Sequence, residues 1–423
     1  MIKNFIKLSK DTAFSGTLVV TAGMLLGSVF SYALQFTLSK KLTLADFGTF
    51  NALLSLNMLF GVVILVFSTA LIKLTSELLA QDQLRKLTAL FWKLTIFAFV
   101  IGSIVFGLFT LFKKGLAADL NISDPNLFIY FGLVLGMTLV TVIPAAYLQG
   151  LLRFKAFALY MFMLAFLRFL VPTVFVYLGY KLVAVFIGIF IAIIMSYIIA
   201  LLLLKKNFTH TSNEPLTPYF KQLLLFSIPV FFINMGMNSL NNVDVILVKK
   251  FFSETESGLY AGIVTIGKIL LFGAGTVSAV MFPQISTLFA KKENYFPKFK
   301  VFLVLQLLAV LGGVVFSFLF PQFLVLMFTK NFLPAISYIP RFSIFVGLYV
   351  LLNFMVLFSL AINKTKVFAF LVPGVVAQFI LILFFHSSLT QIININIGVT
   401  LLLLMAVILY TVHNVGIYNS SGV

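Results

Sequence analysis

Long apolar stretches separated by short polar breaks follow one another along the whole chain. Twelve of them are long enough to cross about 30 Å of hydrocarbon as helices, and they cover residues 13–38, 48–72, 89–112, 127–149, 157–180, 182–204, 223–248, 259–282, 299–320, 339–362, 367–385 and 397–417. Strands of a membrane barrel are shorter, about 9–11 residues, and alternate in polarity. The pattern therefore predicts an all-α polytopic membrane protein with twelve transmembrane helices.

The composition agrees with lipid as the main solvent. Hydrophobic residues make up 62% of the 423 residues and charged residues only 9%, whereas soluble proteins carry about 25% charged residues. The chain has no cysteine and three scattered histidines. A disulfide framework, a thiolate metal site and a cysteine nucleophile are therefore excluded, and no metal site is predicted.

The basic residues are distributed unevenly between the two sides of the predicted membrane. The N-terminus and the loops after even-numbered spans, together with adjoining span ends such as Lys93, carry 18 of the 29 Lys and Arg residues, and the loops after odd-numbered spans carry 9, counting Arg341. By the positive-inside rule both termini are cytoplasmic. A net charge of +18 would suggest nucleic acid in a soluble protein, but here we expect no nucleic-acid partner and assign the excess to topology and anionic membrane lipids.

The two halves of the chain share a weak internal repeat. At an offset of 210 residues, Ala45–Ala52 aligns with Thr255–Gly262, and each segment has an acidic residue two before a glycine and an aromatic residue two after it. At an offset of 211, Lys155–Ala158 aligns with Lys366–Ala369. Six spans per half give parallel repeats related by a pseudo-two-fold axis along the membrane normal.

This duplication predicts two six-helix bundles around a central cavity. The N-terminal bundle would comprise residues 1–204 and the C-terminal bundle residues 223–423, with residues 205–222 as a cytoplasmic linker. Such bundles suit alternating access, in which one bundle rocks against the other.

Four segments resemble the multidrug/oligosaccharidyl-lipid/polysaccharide exporter superfamily and, within it, the bacterial Wzx-type flippases. They are Asp46–Phe50, Glu256–Tyr260, Leu148–Lys155 and Asn242–Asp244. The resemblance implies that an undecaprenyl-pyrophosphate-linked oligosaccharide, an O-antigen or other surface polysaccharide repeat unit, moves from the cytoplasmic to the outer leaflet of the bacterial plasma membrane. It also implies a polysaccharide polymerase and chain-length machinery as partners.

No sequence motif for catalysis is present. The chain lacks a Gly-x4-Gly-Lys-Ser/Thr phosphate loop, a Gly-x-Ser-x-Gly elbow and a soluble domain to hold either. We therefore predict no catalytic residues, no cofactor and no enzymatic activity.

Two basic residues lie inside predicted spans, Arg168 in span 5 and Lys268 in span 8. A central Arg or Lys costs on the order of 2.5–3.5 kcal/mol on insertion scales, so it usually faces a cavity, a partner or an anionic ligand. In the functional interpretation both line the cavity and bind the pyrophosphate. In the structural alternative Arg168 binds helix carbonyls or an acidic neighbour, and Lys268 extends to the membrane surface.

Span 7 is the most polar span. On a continuous helix its polar residues would fall within roughly 160° of arc, and they are Asn234, Asn238, Asn241, Asn242 and Asp244. We expect this face to line the cavity and to bind sugar hydroxyls, although asparagines also join neighbouring helices. Asp244 has three interpretations: a partner of Lys268, a ligand of a coupling cation (Na⁺ or H⁺), or an interfacial residue.

Lys73 and Glu77, predicted just past the inner end of span 2, are candidates for a lipid-phosphate contact at the cytoplasmic entrance, with a solvated charge pair as the default.

Other functions also fit the chain. One is a cation-coupled multidrug exporter of the same superfamily, another is a non-transporting scaffold of a polysaccharide-assembly complex, and a third is a flippase for a peptidoglycan precursor, for which a longer chain is expected.

Overall fold

The computed structural model describes residues 12–205 and 231–420, and within these ranges it contains helices and no β-strand. The helices of the first part are α1 Thr12–Lys41, α2 Leu44–Ala80, α3 Leu84–Leu111, α4 Lys113–Asp119, α5 Leu127–Gly150, α6 Phe154–Tyr177 and α7 Leu182–Leu204. The second part begins with α8, which includes 231–240. It continues with α9 Val243–Phe251, α10 Glu254–Ala290, α11 Phe296–Leu319, α12 Pro321–Phe328, α13 Ile339–Ala361, α14 Phe368–Phe384 and α15 Leu389–Ser420, with 3-10 turns at Lys330–Ala335 and Thr365–Val367.

Ten helices in the described ranges are long and apolar enough to cross a membrane. The prediction of an all-α multi-pass membrane protein is thus confirmed. The total of twelve spans stays a prediction, because part of predicted span 7 and nearly all of the predicted linker lie outside the described residues.

The chain divides into two compact units. The first comprises Met1–Leu42 and Phe60–Ile228, and the second Thr43–Leu59 and Pro229–Val423. Within the first unit α5 packs against α3 and α7, and α6 against α1 and α7; within the second, α13 packs against α11 and α15, and α14 against α15. Equivalent helices of the two repeats therefore form equivalent pairs. The segment Thr43–Leu59 belongs to the second unit although it lies in the first half of the sequence.

The repeated acidic motif forms matching helix starts. Thr43 Oγ1 accepts a hydrogen bond from the backbone N–H of Asp46 at 3.1 Å, and Ser253 Oγ accepts one from Glu256 N–H at 3.3 Å. The Glu256 carboxylate in turn accepts from Ser253 N–H at 3.1 Å, which completes a capping box. These caps begin α2 and α10, each 37 residues long.

The glycine of the repeated motif allows a close helix crossing within the second unit. A Cβ atom on Gly48 would lie 2.8 Å from the backbone nitrogen of Gly258, and a Cβ on Gly258 would overlap the carbonyl oxygen of Leu44. Any larger residue would force the two backbones apart. Each copy of the motif thus contains a helix cap and, a few residues later, a glycine at a backbone-to-backbone contact.

The repeat is also present in the backbone at the ends of helices. Asp82 and Lys292, 210 residues apart, end α2 and α10 with φ of 54° and 58°. Leu152 and Asn363, 211 residues apart, end α5 and α13 with φ of 57° and 58°. Each end makes the Schellman pair of hydrogen bonds.

Helix α2 continues to Ala80, beyond the end of predicted span 2, and Lys73 and Glu77 lie on this extension. A helix satisfies its own backbone hydrogen bonds and can therefore extend beyond the lipid. One prediction about a span was wrong: predicted span 7 is not one continuous helix, because Asn241 and Asn242 form a turn between α8 and α9. The arc calculated for its polar residues therefore does not apply beyond residue 240.

Candidate functional site

The break in span 7 lies in a buried region with several polar side chains, among them Asn242, Asp244, Gln378 and Asn396. The backbone N–H of Asn241 donates to Asn238 O and that of Asn242 to Ser239 O, which replaces the α-helical pattern by a turn. Asp244 consequently lies in the first turn of the new helix α9. The positive end of the helix dipole favours a carboxylate at this position.

Carbonyl groups released by the break are bound by side chains from neighbouring helices. Tyr349 OH of α13 donates to Met237 O at 3.0 Å, and Gln378 Nε2 of α14 donates to Leu240 O at 3.1 Å. At membrane depth an irregular backbone is stable only when such partners satisfy it. The break is therefore a supported feature of the fold.

Asp244 is the centre of a hydrogen-bonded cluster in which residues of four helices meet. Its Oδ2 accepts from Tyr260 OH of α10 at 2.6 Å and from Asn396 Nδ2 of α15 at 2.8 Å, and its Oδ1 accepts from Val245 N–H at 2.9 Å. Gln378 Nε2 donates to Asn396 Oδ1 at 2.8 Å. Asp244 is 1% exposed, so the carboxylate is surrounded by protein donors.

Lys268 lies on α10, about 12 Å beyond Tyr260 along the helix axis. Its ammonium makes no ion pair or hydrogen bond with Asp244 in the part of the chain that the structure describes. The pairing of Asp244 with Lys268 stays a prediction.

Arg168 lies on α6 in the first unit. Its Nε is buried and has no hydrogen-bond partner among the described residues. Tyr160 lies eight residues earlier on the same helix, and its OH donates to Thr141 O at 3.4 Å. A buried guanidinium N–H without an acceptor is available for an anionic ligand.

The asparagines of span 7 bind mainly their own backbone. Asn238 Nδ2 donates to Asn234 O at 3.0 Å and Asn242 Nδ2 donates to Asn238 O at 2.9 Å. Asn234, Asn238 and Asn241 remain partly exposed. Their predicted role in lining a cavity stays a prediction.

Lys73 and Glu77 form a charge pair on the surface of α2. Their Nζ and Oε1 atoms are 3.8 Å apart, and the side chains are 48% and 40% exposed. Such a pair contributes little to stability. The structure therefore matches the default interpretation, and the contact with a lipid phosphate stays a prediction.

The sequence pattern did not indicate a third buried basic residue. Lys249, assigned to a loop, is 1% exposed, and its Nζ has no hydrogen-bond partner in the described ranges. Asp46 and Glu254 interact with it electrostatically. Its position directly after an apolar run made it look like a solvated loop residue, and its burial depends on tertiary packing.

Tyr260, Gln378 and Asn396 were also missed as site residues, although each left a signal. Gln378 is the one strongly polar residue of α14, Tyr260 is the aromatic residue of the repeated motif, and Asn396 is the last residue of the segment predicted as a loop before span 12. A single amide in an apolar span indicates a buried hydrogen bond. Which partner it binds depends on the fold.

The Asp244 cluster contains one acidic side chain. No group of three or more His, Cys, Asp or Glu residues that would hold a metal ion occurs among the described residues. Tyr260, Asn396 and Val245 donate hydrogen bonds to the carboxylate, while two buried amide oxygens, Asn242 Oδ1 and Gln378 Oε1, receive no hydrogen bond from the described residues. Coupling-cation binding at Asp244 stays a prediction.

Comparison with known proteins gives a family and a fold. The family model described as "Polysaccharide biosynthesis protein" matches residues 10–289. No curated protein sequence matches the chain.

Several solved structures share the fold at low sequence identity. An inward-facing multidrug resistance MATE family transporter of the MOP superfamily has 13% identity and a TM-score of 0.73, covering 96% of this chain and 100% of its own. The lipid II flippase MurJ in an inward closed conformation has 14% identity and a TM-score of 0.71, covering 95% and 87%. A MOP superfamily transporter from Pyrococcus furiosus, described as having a binding pocket of reverse polarity, has 15% identity and a TM-score of 0.56, covering 95% and 96%.

Proposed function

Because the chain belongs to the polysaccharide biosynthesis protein family, we propose that it is a flippase for an oligosaccharide linked to undecaprenyl pyrophosphate. The substrate is an O-antigen or other surface polysaccharide repeat unit, which moves from the cytoplasmic to the outer leaflet of the bacterial inner membrane by alternating access. Both termini face the cytoplasm. The proposal contains no covalent step and requires no catalytic residue.

The observation that carries this proposal is the pair of basic residues inside membrane-spanning helices, Arg168 on α6 and Lys268 on α10. Charged groups at this depth are expensive unless they serve a partner or a ligand. Pyrophosphate is a ligand that both accept, since guanidinium binds its oxygens through two N–H groups and ammonium acts as a point charge. Amide groups such as those of Asn234, Asn238 and Asn241 suit the sugar hydroxyls.

The proposed partners follow from this substrate. Membrane lipids surround the apolar helices, and a polysaccharide polymerase with its chain-length machinery would use the flipped product. The proposal includes no nucleic-acid partner and no cofactor. A coupling cation, Na⁺ or H⁺, could accompany transport, and Asp244 is its candidate ligand in the proposal.

The main alternative is a cation-coupled multidrug exporter. A site for organic cations needs accessible negative charge, but the carboxylate of Asp244 is buried and enclosed by hydrogen-bond donors. The flippase is therefore favoured. Uptake of a cationic dye into liposomes containing the purified protein, inhibited by sodium ions or protons, would reverse this preference.

Charge reversal tests the flippase. In a strain lacking its own flippase, the protein should restore surface polysaccharide, and the double variant Arg168→Glu, Lys268→Glu should fail to do so because the pyrophosphate would meet two carboxylates. The matched control reverses two exposed lysines, Lys114→Glu with Lys366→Glu, and should retain function.

Membrane levels of both double variants are measured in the same cells. Full restoration by a normally inserted Arg168→Glu, Lys268→Glu protein would contradict the proposed role and would favour a scaffold. Failure of both double variants would mean that overall charge, and not the two intramembrane positions, determines function.

A further inference from the structure

The short helix α12, in the second unit, has large apolar side chains on both of its faces. It contains one polar residue, Gln322, and no charged residue. The face that is buried consists of Leu324, Val325 and Phe328. The exposed face consists of Phe323, Leu326 and Met327, whose side chains are 56%, 51% and 45% exposed. These three positions follow the spacing i, i+3, i+4 and therefore form one apolar stripe along the helix.

Helix α11 sets the depth in the membrane at which α12 begins. With 24 residues, α11 is about 36 Å long, which is enough to cross about 30 Å of hydrocarbon. Its last residue, Leu319, therefore lies at the boundary between hydrocarbon and headgroups. A bend at Phe320 separates it from Pro321, the first residue of α12. Because α12 has eight residues and is about 12 Å long, it is too short to cross the membrane itself.

The far end of α12 is held by the 3-10 turn Lys330–Ala335. Phe332 of this turn is 1% exposed, and its ring packs edge to face against that of Phe47 with centroids 5.5 Å apart. A Cβ atom on Gly262 would overlap the Phe332 ring, so the glycine of α10 makes room for it. Both ends of α12 are thus attached to the second unit, and the helix lies along that unit and is not a free arm.

The first unit has a helix of opposite chemistry at the equivalent place. Helix α4 lies between α3 and α5, as α12 lies between the equivalent helices α11 and α13. Its exposed residues include Lys114 and Asp119, which suit water and headgroups. The fold therefore does not require an apolar helix at this place, and the apolar stripe of α12 indicates a different environment.

We propose that α12 lies in the plane of the membrane interface, with Phe323, Leu326 and Met327 inserted between the acyl chains of one leaflet. Interfacial helices bury one apolar face at the boundary between headgroups and acyl chains, and here the protein covers the opposite face. Lys330, exposed just after α12, is then at the level of the lipid phosphates and complements their negative charge. The segment between predicted spans 9 and 10 is therefore a membrane-bound surface of the protein and not a loop in water.

Tryptophan fluorescence in liposomes tests this placement. The chain has one tryptophan, Trp92, so Trp92→Phe provides a background without tryptophan. Into it are introduced Phe323→Trp and the matched control Ala118→Trp, at an exposed position of α4. The liposomes contain phosphatidylcholine and phosphatidylglycerol with bromine atoms either near the headgroup end or near the methyl end of the acyl chains. Phe323→Trp should be quenched several-fold more by the first lipid than by the second. Acrylamide in the water should quench it several-fold less than Ala118→Trp.

Leu326→Trp, on the same face as Phe323, is measured in the same way and should give the same result, so that the outcome does not depend on one substitution. Strong quenching by acrylamide without quenching by bromine would place α12 in water and overturn the proposal. Protection from both quenchers would place it against a second copy of the chain, and stronger quenching from the methyl end would place it deep in the bilayer. Either result would also overturn the proposal. The measurements contain no lipid-linked sugar, so the proposed function and the proposed position of α12 fail separately.

Discussion

Leu152 occupies a left-handed backbone conformation, with φ of 57°, at the end of α5. A side chain with Cβ adopts this conformation at a cost of roughly 1–2 kcal/mol, and asparagine tolerates it better. The equivalent residue of the second repeat is Asn363, with φ of 58°. Leu152 is 60% exposed and so gains little from burial of its side chain.

Leu152→Asn should therefore stabilise the protein, by about 0.5–1 kcal/mol. The measurement is the midpoint of thermal unfolding in detergent. The reciprocal variant Asn363→Leu is the control and should lower the midpoint by a similar amount. A lower midpoint for Leu152→Asn would mean that the exposed Leu152 side chain makes a contact with lipid, and that this contact is worth more than the cost of the left-handed backbone conformation.

At the residue scale the sequence predicted which side chains are unusual but not which ones meet. Arg168 and Lys268 stood out because a basic residue in an apolar run is rare. Lys249 did not, since its burial arises from elements distant in the sequence. The pairing of Asp244 with Tyr260 and Asn396 joins residues 16 and 152 positions apart, and hydrophobic periodicity contains no information about such pairs.

Helices α2 and α10 show how a short sequence motif determines an element contact. Each begins with a hydroxyl cap and an acidic residue, and each places a glycine two residues after the acid. A Cβ atom on Gly258 would meet the backbone of Leu44, whereas a Cβ atom on Gly61, farther along α2, would have no atom of the described residues within 4 Å. Glycine is therefore required at the crossing and dispensable at Gly61.

Gly258→Ala should destabilise the protein by about 1–3 kcal/mol, because the added methyl group overlaps a backbone carbonyl. Gly61→Ala should be neutral or stabilise by up to about 1 kcal/mol through helix propensity. The measurement is the midpoint of thermal unfolding of the two variants and the wild type under the same conditions. Equal effects of the two substitutions would show that the crossing opens easily and that glycine is not needed for close packing.

Element boundaries were predictable where polarity changes sharply and less so elsewhere. Predicted spans 4 and 6, at 127–149 and 182–204, differ from α5 and α7 by one residue or none. Helices α2 and α10 exceed their predicted spans by more than ten residues, because apolar patterning detects the lipid-embedded part and helices continue beyond it. The break at Asn241–Asn242 could not be predicted, since asparagine is tolerated in helices and the partners that stabilise the turn come from α13 and α14.

At the scale of the whole molecule, the distribution of basic residues predicts the orientation in the membrane. The chain has no cysteine, so single cysteines report directly on exposure. Ser387→Cys lies in the loop after predicted span 11 and Thr365→Cys in the loop after span 10, and both positions are exposed. A membrane-impermeant thiol reagent added to intact cells should label Ser387→Cys, and it should label Thr365→Cys only after the inner membrane is permeabilised. The opposite pattern would invert the predicted topology.

Gly48 and Gly258 are equivalent positions of the two repeats, and they touch each other. In a symmetric homodimer, residues at the two-fold axis are the ones that meet their own copies. The contact is thus of the kind that two equivalent chains make at a two-fold axis. The charges do not follow this symmetry, because at the 210-residue offset Leu34 and Met58 stand where the second half has Asp244 and Lys268. One chain that contains both halves can therefore carry charged groups in one half alone, which a homodimer of identical subunits cannot.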